Sequence, residues 1–561
     1  MSIILSLFTL LGGIGVLMTG MKYMSDGLEH GAGKGIQKLL GKMSDSRLAG
    51  FGIGTAVTGI IQSSSATTVM VVGLVNAGIM TLIQAVSIIV GANVGTTVTG
   101  LIAALSAFNI SPYFAALAFL GVFAVMFSKN ERVLVVGKVM SGLGLVFIGL
   151  SLMGGAFKND AMAAAIKTIF ESVSSPLIFV LFGALFTGII QSSSAFVGIV
   201  ISMVGISGSI PLESALFIIL GSNIGTCVTA IIASVGTSIN AKRAAVAHLL
   251  FNVAGTIVFT ALLLIFKETI VAALQRIKSP EFQVAVFHTV FNVATALLVL
   301  PFVGQLAALV ERILPGLRPD GVKKEAAQRL TYLDDRLLQT PPVAIIQLKK
   351  EIKGMAGLAK ANFIRGVESI IKRDVRQKEE ILDDEERINF INKGIAAFLI
   401  KLSSVSTAKS EELFVGSMHH VISDLERIGD YAQNFAEETE EIIKKDIRFS
   451  DVAVGEIESM YKKIIPMYDA AVEILMNDDV KKLNYVSEVE DQIDLMKKVY
   501  GDNHIKRLTA GDCTVDSGAY FYAVISGLER IADHLTNIAF SIRSPSGSQR
   551  EAMAILAKEH K

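Results

Sequence analysis

The 561-residue sequence has only two cysteines, Cys227 and Cys513. They fall in different halves of the chain, which excludes a disulfide framework and any cysteine-based metal spacing. Charge is scarce up to about residue 310, where Leu, Ile, Val, Ala, Phe and Gly dominate. From 311 to 561 the chain is dense in Lys, Arg, Asp and Glu, so the balance of 51 basic against 51 acidic residues averages two unlike halves. The apolar N-terminus lacks the basic start of a signal peptide and reads as a retained membrane helix. No nucleophile–base constellation and no GxxxxGK phosphate loop occurs, which argues against an enzyme. What is present, a mean hydropathy of +0.55, points to a membrane protein with a soluble domain attached.

The membrane half is duplicated. TGIIQSSSA at 58–66 recurs at 187–195. At the same offset Gly13, Gly15 and Gly20 match Gly142, Gly144 and Gly149, and one residue further on GANVGTTVT at 91–99 matches GSNIGTCVT at 221–229. Three blocks in the same order mark two units, 1–130 and 131–266, followed by a final membrane segment within 267–312 that stands outside the repeat. Each unit predicts an apolar helix (3–22; 133–154), a long stretch broken by QSSS (48–80; 176–209), a segment carrying the GxNxGTxxT block (81–105; 211–236) and a plain apolar helix (112–128; 243–266). The QSSS stretches are too long for one straight crossing, about 45 Å of helix against a hydrocarbon core of about 30 Å. They predict re-entrant hairpins or broken helices, tolerated in a membrane where protein or water covers them.

If the hairpins do not cross, each unit crosses three times, and the second must start on the opposite side from the first. That is an inverted-topology repeat. Lys34, Lys38, Lys42, Arg47, Lys129, Arg132, Lys242, Arg243 and Arg312 would then share one face, against Lys158, Lys167, Lys267, Arg276 and Lys278 on the other. The bias makes the first face cytoplasmic, with the soluble half inside the cell and the N-terminus outside.

Paired interrupted segments are the sequence pointer to a transport site. Gln62, Ser63, Ser64 and Ser65, with Gln191, Ser192, Ser193 and Ser194, offer hydroxyls and amides that both donate and accept. Free N–H groups at a broken helix favour an anion, and free carbonyl and hydroxyl oxygens suit a hard cation such as Na⁺. No Arg or Lys lies near these motifs, so a co-bound cation would offset the cost of burying an oxyanion. Asn93, Thr96, Thr99, Asn223, Thr226 and Thr229 are further candidates, with helix packing as the competing role. Thr67 and Thr68 are matched by Phe196 and Val197, so the first hairpin is expected to supply more cation-binding oxygen. His248 and His288, in HLLFN and HTVFN, are intramembrane ionisable groups, candidates for a functional role or neutral histidines hydrogen-bonded between helices, with Asn252 and Asn292 as partners or as packing residues.

The duplicated QSSS motif resembles that of the type II sodium-dependent phosphate cotransporter family, over about residues 1–310. The resemblance implies Na⁺-coupled symport of inorganic phosphate, with the two QSSS sets lining the central site.

Beyond a linker at 313–342, where Pro341 and Pro342 can begin a helix, apolar residues recur at helical spacing. Six helices are predicted, at 343–373, 376–405, 409–446, 451–477, 480–508 and 515–543, in two units of three, 343–446 and 447–543. Residues 544–561 read as a frayed tail. DLERIGDYAQN at 424–434 is echoed by GLERIADHLTN at 527–537. Glu426 and Asp430 share a helix face, as do Glu529 and Asp533. The pairs Glu379/Asp383, Glu380/Asp384 and Glu490/Asp494 are candidate partners for metal sites of converging carboxylates. This half resembles PhoU, the regulatory protein of bacterial phosphate uptake. The resemblance implies two three-helix bundles and metal, iron, zinc or magnesium, at those acids.

The expectation is therefore an all-α, polytopic transporter of a bacterial inner membrane with two re-entrant QSSS hairpins, followed by a cytoplasmic PhoU-like domain. Its partners are phosphate, Na⁺, the bilayer, and phosphate-signalling proteins or a second copy through the PhoU-like domain, with no nucleic acid. Phosphate export and a non-transporting membrane regulator are the alternative readings.

Overall fold

A computed structural model describes residues 3–41, 46–108, 110–173, 175–205, 210–316, 330–405, 409–477 and 479–543. Lys42, linker residues 317–329 and the tail 544–561 lie outside them. The described residues are helical, with no strand among them. They divide into two compact units, Met1–Arg318 with Asp334–Ala344, and Pro319–Leu333 with Ile345–Lys561.

The first unit contains α1 (Ile3–Gly41), α2 (Arg47–Ile61), α3 (Ser64–Asn76), α4 (Leu82–Gly95), α5 (Thr97–Ala104), α6 (Ser111–Phe127), α7 (Glu131–Phe157), α8 (Asp160–Ser172), α9 (Pro176–Ile190), α10 (Ser193–Gly205), α11 (Leu212–Ser234), α12 (Ile239–Ile265), α13 (Lys267–Gln275), α14 (Pro280–Val299) and α15 (Val303–Ile313). Six stretches of it, Ile3–Ala32, Leu82–Phe108, Glu131–Phe157, Leu212–Ser234, Ile239–Ile265 and Pro280–Ile313, are long and apolar enough to cross a membrane. α1 runs well past the predicted 3–22, and α8 and α13 form where loops were expected.

Glycine sets how closely these helices approach. A Cβ on Gly20 would lie 2.8 Å from the Gly142 carbonyl oxygen, one on Gly149 would lie 2.8 Å from that of Gly13, and Gly27 faces Val139. Residue numbers rise along α1 as they fall along α7, so these corresponding helices of the two units run antiparallel. The expected inversion is realised at this contact. Within the units the contacts run the other way. Gly54 meets Ile88, and Gly95 meets Thr55 and Gly59; Gly183 meets Ile218, and Gly225 meets Ala184 and Thr187. Hence α2 is parallel to α4, and α9 to α11.

This parallel pairing fixes the hairpins. α4 starts beside the N-terminal end of α2, five residues after α3 ends. α3 must therefore return to the level where α2 began. The QSSS stretch is two short antiparallel helices of 15 and 13 residues, too short to cross singly. α9 and α10 repeat the arrangement.

The repeat is not perfect. The third segment breaks at Thr96 into α4 and α5, whereas its counterpart α11 runs unbroken through Thr226. α6 packs against α7, while α12 packs against α11, α3 and α4. α12 is matched instead by α14: Asn252 and Asn292 play the same part on the two helices, as described below.

After α15 the chain re-enters the first unit. A 3₁₀ turn at Asp335–Gln339 packs against α3, with Leu337 under Gly73. The Asn76 amide donates to Asp334, and Asn76 Oδ1 accepts from the Ser238 N–H at 2.7 Å. Arg336 pairs with Asp334 at 2.9 Å and donates to the Val235 carbonyl at 2.8 Å. Part of the expected linker is thus an ordered strap across the ends of α3 and α11.

The second unit holds six long helices: α16 (Pro341–Lys372), α17 (Lys378–Val405), α18 (Lys409–Lys444), α19 (Asp451–Asn477), α20 (Leu483–Ala510) and α21 (Val515–Phe540). Their ends fall close to those predicted from periodicity. α17 is apolar enough to rank as a membrane candidate. Its apolar residues, Ile381, Ile388, Ile395 and Leu399 among them, are buried in the helical bundle instead. α18 and α21, which carry the LERI sequences, pack antiparallel: Asp424 contacts His534, and Phe435 contacts Gly527.

Candidate functional site

Both QSSS turns have the same backbone. Gln62 and Gln191 end α2 and α9 in the left-handed region, at φ 60° and 58°, and their N–H groups bond the Thr58 and Thr187 carbonyls at 2.7 Å. A left-handed glutamine is uncommon and costs local strain, and it occurs here twice at matched positions. It ends one helix and aims the chain into the next. Ser63 and Ser192 then act as N-caps, their hydroxyls accepting from Ala66 and Ala195 at 3.2 Å. The N–H groups of Ser64 and Ser65, and of Ser193 and Ser194, lie in first turns, where a helix supplies no carbonyl partner.

The two turns meet. The Ser65 hydroxyl donates to the Gln191 carbonyl at 3.4 Å, and Thr96 and Ser194 hydroxyls lie 3.0 Å apart. Two helix N-termini, serine hydroxyls and a threonine from both repeats therefore converge, with Ser64 and Ser193 each only 4% exposed. Such a cluster suits an oxyanion with a hard cation beside it.

The surrounding candidates divide by what they hold. Gln62 is buried and receives the Thr99 hydroxyl on Oε1 at 2.7 Å; Gln191 is exposed. Thr67 accepts from Thr58 at 3.0 Å and donates to the Ser63 carbonyl at 3.1 Å, so it buttresses the turn. The Thr68 hydroxyl is buried with no partner. Thr226 donates to the Ser222 carbonyl of its own helix. At the Thr67 and Thr68 positions of the second hairpin stand Phe196 and Val197, and Phe196 packs near Phe186.

Asn93 and Asn223 make amide contacts between helices. Asn93 donates to Asn252 Oδ1 and Asn223 to Asn292 Oδ1, each at 2.7 Å and each buried. Asn252 and Asn292 in turn donate to the main-chain carbonyls of His248 and His288 at 3.0 and 2.8 Å. The asparagines thus tie helices together, and they serve the histidine backbones rather than the rings. Both imidazoles are 1% exposed, with neither nitrogen hydrogen-bonded.

In the second unit, carboxylate oxygens of Glu490, Asp494 and Asp533 lie within 4.8 Å of one another. Burial first, then the neighbouring acids, pushes Glu490 up to about 7 and raises Asp494 and Asp533. Glu529 is turned to Lys497, 3.0 Å away. Three hard oxygens fit Mg²⁺ or iron, and zinc less well in the absence of nitrogen or sulfur. In the first bundle Glu380 and Asp384 are not brought to Glu426 and Asp430. Arg365 holds them both, Glu380 at 3.2 Å. Glu385 is the acid that faces Asp430 and Glu426, and Asn389, one turn on, bonds it. Burial raises all three carboxyls. The sequence signal existed: Glu385/Asn389 precedes Glu490/Asp494 by a constant 105 residues. A search for acidic pairs passes over it because the fourth position is an amide.

The comparisons agree with this division. The Na⁺/Pi-cotransporter family model matches residues 16–155 and 154–278, and the PhoU domain model matches 352–439 and 457–542. YjbB of Escherichia coli strain K12, named as an inorganic phosphate export protein, is 24% identical over 542 residues, covering 96% of this chain and 97% of that one. The uncharacterized protein YqeW of Bacillus subtilis strain 168 is 34% identical over 303 residues, 53% of this chain and 95% of its own. Sodium-dependent phosphate transport protein 2B of Homo sapiens is 33% identical over 126 residues, 21% of this chain and 18% of that one. No solved structure matches. A multi-pass helical unit with paired QSSS turns, joined to a duplicated helical unit, matches both models in order, and the chain belongs to the Na⁺/Pi-cotransporter family, fused to a PhoU domain.

Proposed function

We propose that this protein carries inorganic phosphate across a bacterial inner membrane together with Na⁺, through the cluster where the two QSSS turns meet. The contact of Ser65 with the Gln191 carbonyl carries this reading, because it joins two helix N-termini from inverted repeats at one point. Phosphate would take the first-turn N–H groups and the hydroxyls of Ser63, Ser64, Ser65, Ser192, Ser193 and Ser194. Na⁺ would take hydroxyl and carbonyl oxygens nearby, with Gln62, Gln191, Thr67, Thr68, Thr96 and Thr226 as candidate ligands or supports. One charge moved through 100 mV is worth about 2.3 kcal/mol, so Na⁺ entry offsets the cost of bringing an anion into a negative cell. The PhoU domain would lie in the cytoplasm, hold Mg²⁺, iron or zinc at Glu490, Asp494 and Asp533, and regulate transport. Phosphate-signalling proteins or a second copy are its candidate partners.

Export is the second reading, and the name of a relative matched over nearly its whole length favours it. One experiment addresses both. Radiolabelled phosphate is followed into and out of proteoliposomes under a Na⁺ gradient or with K⁺ in its place, beside a Ser64→Ala/Ser193→Ala variant. Uptake that needs Na⁺ and vanishes in the variant supports symport. Flux indifferent to Na⁺ removes the coupling ion, and no flux from folded protein favours the non-transporting regulator.

A further inference from the structure

One hydrogen bond to the glutamine of the turn is made in the first repeat and not in the second. In the first repeat Thr99 donates to Gln62 Oε1 at 2.7 Å, with both groups buried. The counterparts in the second repeat are Thr229 and Gln191. There the bond is not made: the Thr229 hydroxyl is buried with no partner, and Gln191 is exposed. The glutamine backbones do not explain the difference, since both are left-handed within a few degrees. The helices that carry the threonines do differ. α5 begins after a break at Thr96, and α11 has no break at the matched Thr226.

A buried hydroxyl without a partner raises the free energy of the state that contains it. Thr229 retains its hydroxyl although, in this state, a methyl would fill the same space at lower cost. Its missing partner is the Gln191 amide, the counterpart of the one Thr99 already holds. Inverted repeats are bistable in pairs: a state with one repeat closed and the other open has a counterpart with the roles exchanged. A glutamine amide held by threonine is committed, whereas a free one offers both donor and acceptor to an incoming ion.

We infer that Thr99 and Thr229 are paired positioning residues, each holding the QSSS glutamine of its own repeat in turn. In the state seen here Thr99 holds Gln62 and Gln191 is free. In the opposite-facing state Thr229 holds Gln191, and Gln62 is released. The inference rests on the transport reading and adds which side-chain bonds exchange between the two faces.

The test is the half-saturating concentration of inorganic phosphate measured from either face of oriented proteoliposomes. Thr99→Val weakens the state seen here and Thr229→Val the opposite one. The ratio of half-saturating concentrations between the faces therefore moves in opposite directions, by about fivefold each for one hydrogen bond. A purely structural role would change both faces alike. Thr99→Ser and Thr229→Ser keep the hydroxyl and return the ratio to that of the parent. Shifts in the same direction, or a Thr229→Val protein indistinguishable from the parent, overturn the exchange. If the parent itself carries no phosphate, the transport reading fails, and the inference fails with it. An intact parent beside same-direction shifts removes the inference alone.

Discussion

Asn93 donates to Asn252 at 2.7 Å inside the membrane unit, 159 residues away in sequence, and Asn223 does the same to Asn292. Replacing Asn93 by Ala leaves a buried amide oxygen unpaired and is expected to cost about 1–3 kcal/mol. Asn93→Ala with Asn252→Ala is expected to cost less than the sum of the two singles. Thermal unfolding of the purified variants in detergent measures both, and strict additivity would mean that the pair is not coupled.

Close helix approach makes a second prediction. Gly54 faces the Ile88 backbone, whereas Gly52, on the same helix, has nothing within 4 Å of the space a Cβ would take. Gly54→Ala is expected to destabilise by about 1–3 kcal/mol through overpacking. Gly52→Ala is expected to be neutral or slightly stabilising. Equal unfolding temperatures for the two variants would contradict the packing described.

The left-handed glutamines make a third. Gln191→Gly keeps a residue at home at φ 58°, and Gln191→Val does not. The valine variant should be less stable than the glycine variant by about 1–3 kcal/mol, although both lose the amide. Thermal unfolding separates the strain of the turn from the chemistry of the side chain, which phosphate flux reads.

In the second unit, metal binding should depend on Asp494 and Asp533 but not on Asp384, which Arg365 holds. Asp494→Asn is expected to lower Mg²⁺ or Fe²⁺ affinity at least tenfold, and Asp384→Asn to leave it within about twofold. Calorimetric titration of the chelator-treated full chain decides between them.

Glu438 gives a pH dependence. Burial pushes its carboxyl up to about 7, and its Oε2 has no hydrogen-bond partner. It lies in a cavity of about 320 Å³ with Tyr431, Phe435 and Tyr520. The folded state therefore keeps the proton after the unfolded chain has released it. Stability contributed by protonated Glu438 is complete at low pH and falls as pH rises from about 4.5 to 7. Glu438→Gln is expected to stabilise the second unit at pH 8, on the order of 1–2 kcal/mol, and to change little at pH 4.5. Denaturant unfolding at the two pH values checks the sign.

The duplication was legible because the two motif copies are identical and keep their spacing, and the PhoU helices because their apolar faces repeat at helical period. The hairpins followed from length against membrane thickness. The turn itself did not: no glycine announces the left-handed residue, and glutamine occupies it. α8 and α13 were hidden by their length. The partners of Asn93 and Asn223 were not legible, because a sequence shows an amide but not the residue 159 or 69 positions away that it bonds. Glu385 was missed for its neighbour in register, one residue from the pair that Arg365 holds.

The strap at Asp334–Gln339 touches α3 and the end of α11, so among the described residues it grips the first hairpin. At the matched end of the second hairpin, Gly205 faces Glu281 of α14 instead. Two arms cut to one pattern are therefore tethered unequally. Tension in the chain beyond the strap would therefore load the first arm before the second.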